Sequence, residues 1–272
     1  MPRERILITV KTYPTLSNKY AEVVCTAGFR EDGTWVRIYP IKFRQMDDFH
    51  KYKKFQWIEV DIKRNNSDAR HESYRPVSEI TTLETIGTKN NWQERRQFVL
   101  DNTPVYDDFS KLLDDNRCKD GPSLATFKPT VIHDFIAEED EREWDKEKQH
   151  AIESMLRQTD LFQETPKDFH VVNKLPYKFK YIFSDITGKR RTLTVSDWET
   201  GALYWNEIKR FGGDEAKAVE SVRNKYLKDV IIDRDTHFFL GTTQSWDAMN
   251  APNPFMIVGV FYPPLDHQQT LF

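Results

Sequence analysis

The residues best suited to chemistry lie in a few short stretches. In Trp35-Val36-Arg37-Ile38-Tyr39, then Arg44, then Lys51-Tyr52-Lys53-Lys54-Phe55-Gln56-Trp57, basic side chains are interleaved with aromatic ones. That mixture suits nucleic acid, because bases stack on aromatic faces for about 1–3 kcal/mol each while Lys and Arg follow phosphates. Trp35, Arg37, Tyr39, Arg44, Lys53 and Lys54 are therefore the expected binding residues. The same pattern equally fits a core strand whose Phe55 and Trp57 face inward behind a solvated lysine cluster.

A second chemistry is written in Glu59-Val60-Asp61-Ile62-Lys63. An acid-x-Lys triplet ending a strand has the order used by Mg²⁺-dependent nucleases, in which acids hold the metal and the lysine positions a water. That arrangement needs another acid from elsewhere, and Asp47 or Asp48 can supply it. The structural alternative is that Glu59, Asp61 and Lys63 are the exposed row of a barrel strand. The histidines are scattered without metal-ligand spacing, so no metal site is expected on the first reading and Mg²⁺ only on the nuclease one. Asp235 and His237 fall on one face if a strand begins there, an acid–imidazole pair or simply a strand-entry turn.

Positioning these groups requires strands first. Ile6–Val10 is a short β-rich run, and Tyr20–Phe29 and Thr34–Tyr39 flank Asp32-Gly33, a strong hairpin signal. Side chains alternate along a strand, so Trp35, Arg37 and Tyr39 share one face and Val36 and Ile38 the other. Ile58–Ile62 is a further strand, and Phe127–Ile132 a short one expected to close the N-terminal barrel. Helices are predicted over 91–100, over 106–113 and over 138–157. Tyr177–Ser184 and Arg191–Val195 form a second hairpin. Ser196-Asp197-Trp198-Glu199 reads as a capping box opening a helix that stops at Gly212-Gly213, with another helix from Asp214 to about Lys228. Thr236–Gly241 and Phe255–Tyr262, apolar throughout, are expected at the centre of a C-terminal sheet. The expected architecture is α+β: an N-terminal OB-like small β-barrel with a helical insertion over 1–137, an α+β domain over 138–264 with a C-terminal antiparallel sheet and two helices, and a tail over 265–272.

Composition bounds the function classes. The 272 residues carry a net charge of −3, but residues 1–76 hold 15 Lys+Arg against 10 Asp+Glu, whereas 77–172 hold 12 against 21. A basic first third suits a polyanionic partner. Two cysteines exclude a disulfide framework, and no apolar run reaches membrane-spanning length, so a cytoplasmic setting is expected.

The segments Val24–Gly28, Gly33–Pro40 and Phe43-Arg44 resemble the start of a group of bacterial proteins of unassigned function, as do Tyr177–Tyr181, Asp197-Trp198-Glu199 and the ending Gly241-Thr242 to Phe261–Pro264. The opening strands are also similar to OB-like barrel modules of mobile-element and phage-defence gene neighbourhoods. This resemblance implies a small barrel and brings no assigned catalytic residues across. Gln268-Gln269-Thr270-Leu271-Phe272 looks like the bacterial sliding-clamp-binding peptide, with Gln268, Leu271 and Phe272 as its contacts. The combined reading is nucleic-acid binding, DNA in particular, in a defence or mobile-element setting, with the clamp as a partner. The alternatives are a Mg²⁺-dependent nuclease and a structural subunit of a multi-protein complex.

Overall fold

The computed structural model describes residues 3–17, 21–101, 103–159, 171–249 and 251–265. The barrel begins with β1 (Arg3–Lys11), β2 (Thr15–Ser17), β3 (Ala21–Arg30) and β4 (Trp35–Ile41), and continues with β5 (Gln56–Arg64), β6 (Ser73–Pro76) and β7 (Thr81–Thr85). The β3–β4 hairpin turns through Gly33 at φ +80°, a left-handed position that favours glycine. Hydrogen-bonded neighbours run β1-β3-β4-β6-β5, and β5 returns to β1, closing five strands into a ring. All these pairings are antiparallel except β4–β6, which is parallel. Closure and strand order define an OB-like barrel.

Alternation fills the ring. Ile6, Ile8, Val24, Val36, Ile38, Ile58, Val60 and Ile62 form its interior. The other face of β1, β3 and β4 is also buried: Leu7, Val10, Ala27 and Phe29 pack with Phe239, Val258 and Phe261 of the C-terminal half, with Trp35 against them. Gly28 marks a close approach of β3 to β1, since a Cβ there would lie 2.0 Å from the Leu7 carbonyl oxygen.

Helix α1 (Lys89–Arg96) runs into a π-helical turn, Gln97–Asp101, close to the expected span. Next come β8 (Val105–Tyr106), α2 (Phe109–Arg117), β9 (Leu124–Phe127) and β10 (Val131–Glu139). The run expected to close the barrel is therefore two strands, and both belong elsewhere: β9 pairs with β8 and β13, and β10 with β11. The first barrel strand meets β5 instead, so sheet membership changes hands between residues 85 and 105. Helix α3 (Lys146–Thr159) starts later than its charge pattern suggests, because β10 extends to Glu139.

The C-terminal half is completed by β11 (Tyr177–Ser184), β12 (Arg190–Thr194), α4 (Trp198–Arg210), α5 (Glu215–Asn224), β13 (His237–Thr242), α6 (Gln244–Ala248) and β14 (Phe255–Phe261). Two sheets, β10-β11-β12 and β14-β13-β9-β8, are linked by a parallel bridge between Val195 and Ile257. Phe127, Phe135, Tyr181, Phe183, Tyr204, Tyr226 and Phe238 make one aromatic core between these sheets and α4–α5. Gly212 and Gly213, at φ +62° and +94°, turn the chain between the two helices. Tyr204 is buried and Trp198 and Trp205 pack inward, which anchors the pair in the fold. Short helix α6 lies between β13 and β14. Among the described residues no helix is long and apolar enough to cross a membrane.

Candidate functional site

The Trp35-Arg37-Tyr39 row faces one way, as alternation requires, but that way is inward. Trp35 packs 4.0 Å from Phe29 and 5.6 Å from Phe239, ring centre to ring centre. Arg37 is only 1 % exposed. Its guanidinium donates to Ser123 Oγ at 2.9 Å and to the Ser123 carbonyl at 3.0 Å, bracing β4 against the start of β9. Glu72 receives the Ser123 amide at 2.8 Å and its hydroxyl at 2.7 Å. Beside them, Arg70 grips Asp68 through two nitrogens at 2.8 and 2.6 Å and donates to the Thr242 carbonyl at 2.5 Å. Burial, and next the neighbouring Arg70, draw the Arg37 pKa down; burial alone would raise Asp68, but Arg70 and Ser73 hold it at about 2. Two cations and two anions thus form a balanced buried quartet. The alternation Asp68-x-Arg70-x-Glu72 is the signal in the sequence that could flag it.

Lys54 is likewise withdrawn from solvent. Its ammonium lies 2.7 Å from Asp197 and 3.2 Å from Glu199, with 9 % of its side chain exposed. Burial opposes the Lys54 charge, but Asp197 and Glu199 outweigh it and hold its pKa up. Burial pushes Asp197 up to about 6 against the pull of Lys54. Asp197 is the residue preceding α4, yet its carboxylate is spent on Lys54 and makes no cap hydrogen bond, in contrast to the capping box expected at Ser196 and Glu199. Lys11 sits over the Phe43 ring at 4.1 Å and the Trp198 ring at 4.7 Å, and burial followed by Lys54 lowers it to about 8. Arg44 pairs with buried Glu22 at 2.7 Å. Lys53 is exposed, and Tyr39 is half-buried. Of the six expected contacts, Arg37 and Lys54 are therefore struts between the two halves rather than a free basic face; their charges look like surface charges in a single strand and find their partners only across the junction.

Above the quartet the barrel and the C-terminal strands do not quite close. A crevice of about 260 Å³ remains, lined by Val10, Ala27, Leu124, Met256 and Val258, by the polar groups of Thr12, Thr15, Tyr39, Ser196, Thr243 and Gln244, and by Arg37 and Arg70. It lies on the β3–β4 side of the barrel, next to the loop after β1 and the loop between β5 and β6. Apolar walls with a few convergent polar groups at a domain junction are the usual form of a ligand site. A larger hollow of about 470 Å³ opens between the ends of β4 and β6, by Pro40, Met46, His50 and Glu79. There His50 bonds the Ile80 carbonyl and Arg75 bonds Asn65, whereas the smaller crevice lies where the barrel meets the C-terminal strands, which makes it the better candidate.

The acidic triplet has no such convergence. Glu59 lies 3.5 Å from Arg3 on the outer side of the β1–β5 pair, where Asp61 is in register with Arg3. Lys63 is exposed, and Asp48 pairs with Lys51 at 2.8 Å on a surface turn. Among the described residues no three His, Cys, Asp or Glu side chains gather as a metal site. Asp235 holds Arg96 at 2.8 Å and also Lys128, while His237 is buried, hydrogen-bonds the Asp235 carbonyl and is pushed down to about 4 by burial. Gln268, Leu271 and Phe272 lie outside the described residues.

Fold and site together define an OB-like barrel whose β3–β4 face is roofed by the α+β C-terminal half of the chain, with a small polar-rimmed crevice left between them. Residues 2–101 match a family described as a domain of unknown function, DUF8758, and residues 107–272 match a second, DUF8757. The chain belongs to the DUF8757 family. No curated protein matches it. A solved structure of a murine DNA-binding protein bound to double-stranded DNA is similar over 98 % of this chain and 97 % of that one, at 10 % identity and a TM-score of 0.29, a likeness too remote to speak for function.

Proposed function

We propose that this protein binds nucleic acid, DNA in the first instance, through the crevice between barrel and C-terminal sheet and the surface at its mouth. The observation that carries this reading is the position of the crevice. OB-like barrels bind oligonucleotides and oligosaccharides on the face of their second and third strands and the loops beside it, and here that face, β3–β4, keeps an opening although most of it is covered. Aromatic Tyr39 lines the opening, and exposed Lys53 immediately precedes Lys54, which is pinned at the same junction. Tyr39 supplies a stacking or hydrogen-bonding surface and Lys53 a phosphate contact.

The test is fluorescence anisotropy with single- and double-stranded oligonucleotides across a salt series. Binding is expected to weaken as salt rises, with Tyr39→Ala reducing affinity at every salt concentration and Lys53→Ala reducing the salt slope by about one. An absence of binding to DNA and RNA at low salt refutes the reading. A defence or mobile-element setting, and recruitment to a sliding clamp by Gln268, Leu271 and Phe272, belong to the same proposal and rest on sequence resemblance. Unchanged clamp co-purification after deletion of Gln268 to Phe272 removes the second of these.

A further inference from the structure

We propose that the crevice is a receptor for one unstacked nucleobase, whose sugar and phosphate remain at its mouth; this rests on the nucleic-acid reading above and names what that site takes. Size sets the first limit. At about 260 Å³ the crevice falls just below the roughly 300–1,000 Å³ of pockets that enclose drug-sized ligands, which is room for a heterocyclic base.

Charge sets the second. Arg37 and Arg70 line the crevice, yet their guanidinium groups are committed to Ser123, Asp68 and Thr242, and Asp68 and Glu72 balance them. No uncompensated cation is offered to a phosphate, so the fitting ligand is neutral. The walls set the third. Cys25 and Tyr39 of the barrel and Met256 of the opposite half line the crevice and keep part of their surface accessible, giving soft and aromatic surface from both halves for the faces of a flat heterocycle.

The polar groups suit the edge of such a ring. Thr12 Oγ1 accepts the Cys25 amide at 3.0 Å and Thr243 Oγ1 the Trp246 amide at 3.3 Å, so each hydroxyl keeps its O–H to donate. Gln244 donates through Nε2 to the Ser67 carbonyl at 2.6 Å, which fixes its amide and leaves Oε1 as an acceptor. Fixed donors and acceptors around an apolar slot are what reading a base taken out of its stack requires. A base still paired within a duplex cannot enter so small a space, so the preferred substrate is a single strand, an end or a flipped nucleotide.

Three measurements test this. Calorimetry of the full chain with adenosine, guanosine, cytidine and thymidine is expected to give saturable heat for at least one, weakened about tenfold by Gln244→Leu in a protein whose far-ultraviolet circular dichroism is unchanged. Ribose 5-phosphate and inorganic phosphate are expected to give none. Cys25 lines the crevice and the other cysteine, Cys118, is exposed, so in the Cys118→Ser protein the bound nucleoside is expected to slow maleimide labelling of Cys25 at least fivefold. No heat with any of the four, or equal heat with ribose 5-phosphate, overturns the inference. An oligonucleotide carrying 2-aminopurine separates the two claims. Anisotropy showing that it binds, with no rise in 2-aminopurine fluorescence and no nucleoside binding, discards the base receptor and leaves nucleic-acid binding intact. Nucleoside binding with no affinity for any oligonucleotide does the reverse.

Discussion

Replacing Arg37 with methionine separates a strut from a ligand contact. The side chain is wholly buried and makes two hydrogen bonds to Ser123, whose hydroxyl is shared with buried Glu72. Methionine keeps most of the volume but removes the cation, leaving Glu72 with backbone and hydroxyl donors and less compensating charge. Removing one partner of a buried pair costs about 3–5 kcal/mol. Here the pairing runs through Ser123, so the lower end, about 3 kcal/mol, is expected. For a chain of this size about 1 kcal/mol corresponds to roughly 2–4 °C, so Tm should fall by roughly 6–12 °C. Thermal unfolding followed by circular dichroism measures it, and the Arg37→Met/Glu72→Gln double variant should recover part of the loss because the uncompensated carboxylate is gone. Lys53→Ala, on the exposed neighbouring loop, should stay within about 0.5 kcal/mol of the parent. A loss below about 1 kcal/mol in Arg37→Met, accompanied by a tenfold loss of oligonucleotide affinity, would refute the strut and restore Arg37 as a direct contact.

Three further outcomes follow from buried groups. His237 is held neutral by burial with its pKa near 4, against 6.5 when unfolded, so its contribution to stability is complete above pH 6.5 and is lost as pH falls toward 4. Chemical denaturation of His237→Asn should show a flatter acid limb than the parent, the difference reaching about 2–3 kcal/mol at the low end of that window. Lys54→Met leaves Asp197 and Glu199 without their cation and should cost about 3–5 kcal/mol in urea unfolding, with part restored by adding Asp197→Asn. Gly201→Ala would bring a Cβ to 2.2 Å from the Tyr13 ring, whose hydroxyl accepts from Trp205 and donates to the Asn173 carbonyl. Displacing that ring should lower stability by about 2–3 kcal/mol, and an unchanged Tm would show that Tyr13 does not tie the barrel to α4.

Much of the fold was legible because local rules set it. Asp32-Gly33 placed the first hairpin, alternation separated Val36 and Ile38 from Trp35, Arg37 and Tyr39, and Gly212-Gly213 ended α4. The acidic run before α3 misled, since charge favours a helix but does not say how far the preceding strand extends; β10 continues to Glu139 because its partner β11 carries on to Tyr177 beside it.

What the sequence by itself determined is which side chains face together. Tertiary structure alone decided what each face meets, because alternation has a period but no absolute direction. β4 is buried on both sides, and its arginine reads like a solvent-facing charge until Ser123, 86 residues away, is brought to it. Lys54 likewise waits for Asp197, 143 residues along the chain. The choice of partner strand for β9 was also global, since its short apolar run suits a barrel edge and a central sheet equally and is settled by the long apolar face of β13. The crevice exists only where those two halves meet, and no single stretch of the chain contains it.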